Sequence, residues 1–231
     1  LVPFTIQFHP PLFREMVAYG MRNYTASLLL FLVGRVNLIL INYKLGTSEA
    51  GVYSVAMQII DVVYIFPSTI ALLLFPKISG NLQDTGALTA KVLRFSTAAM
   101  AGLCAGIVLL GRPFIEILFG PSFSDAVLPL LWLTPGVLSL ALATIIINDL
   151  AGRGLPPVVL VASAIALLLN LVLVIPALET YGLVGSALAT SAAHVVLLAI
   201  LLVYYMKRMK VGARELLLVR FSDFTSIRFS E

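Results

Sequence analysis

Charge is what this chain has least of. Of its 231 residues, 11% are charged and 60% are hydrophobic, where a soluble domain carries about 25% charged residues. A soluble fold of this size has no interior large enough for that much apolar surface, so lipid is the solvent for much of it. Cysteine occurs once, as Cys104 inside an apolar run. That excludes a disulfide framework within the chain and leaves a small packing residue. The two histidines, His9 and His194, are far apart, so no metal-ligand spacing arises, and neither a Walker loop nor an HExxH helix is present. No cofactor or metal is expected, and an ATP-driven pump or a membrane metalloprotease has no support. No cleavable signal peptide is visible. A start at Leu1 rather than methionine suggests a fragment or a trimmed chain.

What the chain has instead is long apolar runs. A bilayer core of about 30 Å needs roughly 20 apolar helical residues. Six segments qualify: Asn23–Asn42, Val52–Phe75, Val92–Leu110, Val127–Leu150, Pro157–Leu178 and Leu183–Met206. Backbone groups in hydrocarbon must be satisfied internally, so each is read as a helix. Barrel strands are about half as long and alternate strictly, and these runs do not. The fold class is therefore an all-α membrane protein whose six transmembrane helices form one lobe. Residues 1–22 are expected to be a cytoplasmic or interfacial segment, 23–206 the six-helix lobe, and 207–231 a basic cytoplasmic tail. The flanks Pro11–Gly20 and Arg214–Phe224 mix apolar and charged residues and either lie along the headgroups or form short solvated tails.

The basic residues set the orientation. The N-terminal segment and every second loop hold Arg14, Arg22, Lys77, Lys91, Arg94 and Arg153. The tail adds Lys207, Arg208, Lys210, Arg214, Arg220 and Arg228. The loops of the other side hold only Lys44 and Arg112. Twelve against two places both termini in the cytoplasm of a multi-pass inner (cytoplasmic) membrane protein. With the basic residues serving orientation, no nucleic-acid partner is expected.

Polar residues within the runs are the informative class, because charge in lipid is costly and faces a bundle interior or a watery cavity. Arg35 lies about 10 Å from the outer end of the first helix, and Asp61 about 14 Å from that of the second. Similar depth on successive antiparallel helices predicts that they pair or share one aqueous cavity. The alternative is an ion pair that only fixes packing. Ser54, Gln58, Asp61, Tyr64 and Ser68 form one stripe at 4-3-3-4 spacing. The last helix repeats the idea with Ser186, Thr190 and His194. His194 is either a proton-linked group or a hydrogen-bonded packing residue. Asn170 with Ser163, and Asn148 with Thr144, read as interhelical hydrogen bonds or lesser cavity contacts. The candidate substrate-binding or cavity residues are thus Arg35, Asp61, Gln58, Tyr64, His194 and Asn170. Gly102 and Gly106 form a GxxxG pair, and Gly185, Ala189 and Ala193 a small-residue seam, both suited to close helix approach. Pro67 and Pro135 predict kinks, whereas Pro129 falls in a first turn.

Several local strings then carry a resemblance. Gly51-Val52-Tyr53-Ser54-Val55-Ala56 opens the second helix and Phe75-Pro76-Lys77-Ile78-Ser79 closes it. Phe119-Gly120-Pro121-Ser122-Phe123 precedes the fourth, and Leu150-Ala151-Gly152-Arg153-Gly154 follows it. Asn170 through Pro176, then Gly182 through Thr190, links the last two. In order and spacing, from about Leu12 to Lys210, the set resembles the C-terminal half of polysaccharide-biosynthesis flippases. These are the O-antigen (lipopolysaccharide) and exopolysaccharide branch of the multidrug/oligosaccharidyl-lipid/polysaccharide exporter superfamily. The resemblance implies two six-helix lobes that rock about a central cavity and carry a polyprenyl-pyrophosphate-linked oligosaccharide between leaflets. Its implied partners are an N-terminal lobe of the same protein, the lipid-linked oligosaccharide and the bilayer; no enzymatic activity is implied. Family cavities are often cationic, and Arg35 fits by residue type and position. Asp61 is a candidate for ion coupling by type only and matches no family motif. Three alternatives remain: a cation-coupled exporter of the multidrug type, a membrane-embedded enzyme of glycan assembly, and a non-catalytic membrane scaffold. The second is disfavoured by the short outer loops.

Overall fold

The computed structural model describes residues 9–80, 85–212 and 215–216, and among them no strand occurs. Helix α1 spans Pro10–Leu45, α2 Thr47–Gly80, α3 Thr85–Leu118 and α4 Val127–Gly152, with a 3-10 turn at Pro121–Ala126 before α4. The final helical stretch, Val158–Met209, is 52 residues long, which at 1.5 Å per residue is about 78 Å, more than twice a bilayer core. It is broken at Gly182, whose φ of 57° and ψ of −137° are open to glycine and strained for other residues. Beyond it the chain doubles back. A Cβ added to Gly185 would come within 1.8 Å of the Ala177 carbonyl oxygen, whereas residues eight apart in one helix lie about 12 Å apart. The stretch is therefore an antiparallel hairpin of α5 (158–181) and α6 (183–209). Six helical segments result, and five stretches are long and apolar enough to cross a membrane.

Helix ends differ from the sequence expectation where the helix outruns its apolar run. Residues 10–22 continue α1 instead of forming a separate flank. Pro10 and Pro11 sit in the first turn, where their missing N–H groups cost nothing, and nothing after them breaks the helix. The flank Arg214–Phe224 lies outside the described residues except for Glu215 and Leu216.

Two apolar cores are stacked along the bundle. One gathers Ile78, Leu93, Leu150, Val159 and Leu201 at the end that carries most basic residues. The other gathers Ile41, Tyr53, Ile115, Leu130 and Leu183 at the Lys44 end. Helix α4 runs through both and is the most buried of the apolar stretches. Its junction with α6 needs glycine, because a Cβ at Gly136 would lie 2.9 Å from the Ser191 Cα. Pro135, one residue earlier, withholds an N–H from the carbonyl four residues back. The adjacent Trp132 carbonyl accepts a 2.5 Å bond from the Ser191 hydroxyl. Cys104 is buried, with its Sγ 3.8 Å from the Thr134 carbonyl, in keeping with a packing role. Gly102 and Gly106 face open space, so the GxxxG pair joins no helices among the described residues; Gly185 does.

Candidate functional site

A cavity of about 550 Å³ lies between α1 and α2, with α4 and α6 behind. Helix α1 lines it with Tyr19, Asn23, Ser27, Phe31 and Arg35. A step of four residues keeps successive side chains on nearly one face, so the helix lays a ladder of polar groups, interrupted by Phe31, along the cavity. Asp61 and Tyr64 enter from α2, Thr144 and Asn148 from α4, and Thr190 and His194 from α6.

Arg35 and Asp61 meet here. The Arg35 Nη2 donates to the Asp61 Oδ2 at 3.2 Å, and the two side chains are 43% and 50% exposed. The bond is single rather than forked, so most of the guanidinium's five donors are not spent on Asp61. The guanidinium carbon lies 5.3 Å from the centroid of the Phe31 ring, one turn below, which steadies it by a cation–π contact. Toward the basic end the polar groups pair among themselves. The Tyr64 and Thr144 hydroxyls are 2.7 Å apart, and the Asn148 amide donates to the Thr144 carbonyl at 2.9 Å. The Tyr19 hydroxyl donates to the Ala151 carbonyl at 3.0 Å, tying α1 to α4 at that end. Among the described residues the cavity lining contains two charged side chains, Arg35 and Asp61, and they neutralise each other.

Of the residues singled out from sequence, Arg35, Asp61, Tyr64 and His194 line the cavity. Gln58 does not. It is exposed and lies one residue past the cavity-lining Met57, a turn of about 100° around the helix axis that carries it off the lining arc. Asn170 does not either. It sits on the buried stripe of α5 with Ser163 and Val174, and neither amide atom has a partner among the described residues. His194 is at the rear wall, 8% exposed, and its Nδ1 is likewise without a partner. Beside it, Asn37 donates to the Thr190 hydroxyl at 2.6 Å and to the Ser186 carbonyl at 3.3 Å, pinning α1 to α6. No group of three or more His, Cys, Asp or Glu side chains suited to a metal occurs among the described residues.

Two features escaped the sequence reading. The first is the α1 ladder, visible in hindsight as Tyr19, Asn23, Ser27 and Arg35 at multiples of four. The second is a buried ion pair at the basic end. Arg153 Nε donates to Asp149 Oδ2 at 2.7 Å and its Nη2 to Oδ1 at 3.3 Å, while Thr89 of α3 donates to Oδ1 at 2.6 Å. Asp149 has no exposed surface and Arg153 is 13% exposed. Burial works against the Arg153 charge, but the hydrogen bond and charge of Asp149 outweigh it and hold the guanidinium above its usual pKa.

Comparison with known proteins follows the same lines. Residues 3–128 match the family described as polysaccharide biosynthesis protein. The chain is 32% identical over 162 residues to the probable flippase AglR of Haloferax volcanii, covering 66% of this chain and 33% of that one. It is 22% identical over 188 residues to the probable low-salt glycan biosynthesis flippase Agl15 of the same organism, covering 79% and 40%. An uncharacterized membrane protein of Methanocaldococcus jannaschii is 28% identical over 193 residues, covering 79% and 37%. The chain thus spans between a third and two fifths of the length of these relatives. No solved structure matches.

Proposed function

Because the chain belongs to the polysaccharide biosynthesis protein family, we propose that it is one lobe of a flippase that moves a polyprenyl-pyrophosphate-linked oligosaccharide across the cytoplasmic membrane by alternating access. The observation that carries this reading is the cavity between α1 and α2, in whose largely apolar lining α1 sets Tyr19, Asn23, Ser27 and Arg35. A pyrophosphate taken out of water needs a positive partner, since uncompensated charge in a low dielectric is prohibitive. A guanidinium matches phosphate oxygens with a planar fork. The polar ladder from Tyr19 to Arg35 gives a sugar chain hydroxyl and amide groups to bind in place of water.

Alternating access needs two bodies that move against each other. Arg35 and Asp61 in the cavity lining are about half exposed, and a second lobe from the same polypeptide would cover them. The length of the relatives leaves room for such a lobe. The basic end faces the cytoplasm by the positive-inside bias. The protein transports its substrate and does no bond chemistry on it. The test is Arg35→Ala in the full-length protein. Surface glycan should fall to background with normal membrane levels, and the lipid-linked precursor should accumulate on the cytoplasmic side. Unchanged export would remove Arg35 from the mechanism.

A further inference from the structure

The cavity's electrostatics pose a problem for anion binding. Its lining has a single cation among the described residues, and Asp61 already answers it. A pyrophosphate approaching Arg35 meets an arginine whose field is largely cancelled and a carboxylate that repels it. Three features indicate that the pair is made to be opened. It is held by one hydrogen bond rather than a fork, and bidentate pairs are the strong ones. Both side chains are about half exposed within the cavity, so neither is locked by burial. Phe31 under the guanidinium supports Arg35 independently of Asp61, so the arginine keeps a seat when the carboxylate leaves.

We propose that Asp61 is an internal stand-in for the substrate's phosphate. It occupies Arg35 in the empty cavity and is displaced when the lipid-linked substrate's phosphate oxygens bind. This rests on the flippase reading above and assigns Asp61 a role that reading does not use. The exchange has a mechanical consequence. Arg35 is on α1 and Asp61 on α2, two of the helices that line the cavity. While the pair is closed it bridges them. When phosphate takes Arg35, the bridge opens and α1 is released from α2 at the depth where the ligand sits. Ligand binding and helix separation are thereby one event, and a ligand lacking phosphate does not trigger it.

The experiment uses the purified full-length protein in nanodiscs and inorganic pyrophosphate as the probe, with binding followed by calorimetry. Asp61→Asn removes the competing charge while preserving shape. It should bind pyrophosphate about tenfold more tightly than wild type, the order expected when a negative charge beside a half-exposed arginine is deleted. Asp61→Glu, which keeps the competitor, should bind like wild type, and Arg35→Ala should not bind. Despite its tighter binding, Asp61→Asn should export less glycan, because α1 and α2 no longer close on one another after release. Equal or weaker binding by Asp61→Asn, with Arg35→Ala still abolishing it, overturns the exchange and leaves the flippase reading standing. Binding that persists in Arg35→Ala, or no binding by wild type, overturns both. Retention on size exclusion before and after heating distinguishes these outcomes from misfolding.

Discussion

Removing Arg153 should destabilise the helical bundle far more than removing any other arginine that pairs within four residues. Arg153→Ala leaves the Asp149 carboxylate with no exposed surface and without the 2.7 Å and 3.3 Å bonds that compensate its charge. The Thr89 hydroxyl, at 2.6 Å, remains. Deleting one partner of a buried ion pair costs about 3–5 kcal/mol. Arg153 is 13% exposed and lies at a bundle end, where water reaches the vacated space, so the lower part of that range applies, about 3 kcal/mol. For a body of this size that is a drop in apparent Tm of roughly 6–12 °C. Arg112→Ala is the control. Arg112 pairs with Glu116 at 2.9 Å with the same i,i+4 spacing, but its side chain is 73% exposed, and exposed pairs contribute little. The assay is the fraction of purified protein that stays monodisperse after heating, read across a temperature series for each variant. The double variant Asp149→Asn with Arg153→Gln should recover most of the loss, since it removes both charges and leaves no buried ion uncompensated. If Arg153→Ala melts no lower than Arg112→Ala, the pair is not buried in the way the geometry states.

Gly185→Ala should abolish folded protein, because the new Cβ would sit 1.8 Å from a backbone oxygen that cannot move aside without opening the α5–α6 hairpin; Gly102→Ala, which meets open space, should express as wild type, and detergent-soluble yield by fluorescence size exclusion checks both. Asn37→Ala should cost about 1–3 kcal/mol by leaving the buried Thr190 hydroxyl oxygen without its donor, while the Ser186 carbonyl keeps the Thr190 hydroxyl at 3.1 Å, seen as a lower melting temperature. In a Cys104→Ser background, Lys44→Cys should react with an impermeant maleimide added to intact cells and Lys210→Cys only after lysis, as the charge bias requires; the reverse pattern would invert the topology.

The sequence carried the architecture because a bilayer imposes it. Apolar runs of about 20 residues have one structural solution, and a fold built of six of them follows. The α5–α6 turn was legible as a gap between two runs, with Gly182 at the point of reversal. The Arg35–Asp61 contact was legible for the same reason, since depth along two antiparallel helices is fixed by counting residues. Rotation about each helix axis was harder. Gln58 belongs to the same polar stripe as Asp61, yet a stripe spread over a wide arc does not say which edge of it meets the cavity, and Gln58 falls outside. Asn170 shows a further limit, because a polar residue on an apolar helix reads the same whether it faces a cavity or a packed interior. The Asp149–Arg153 pair was obscured because both residues sit at a helix end, where charge is ordinarily solvated; only the packing of α3 and α6 around them buries it.

The central claim is that this lobe forms one wall of a path for a charged lipid-linked glycan and that Arg35 is the point of charge contact. The most direct measurement is flipping itself. Full-length protein is reconstituted into liposomes carrying a fluorescent polyprenyl-pyrophosphate oligosaccharide, and the rate at which inner-leaflet substrate becomes accessible to an impermeant quencher is recorded. Wild type should speed that exchange well above protein-free liposomes, and Arg35→Ala, incorporated at the same density, should return it to the protein-free rate. Equal rates for wild type and Arg35→Ala would contradict the account.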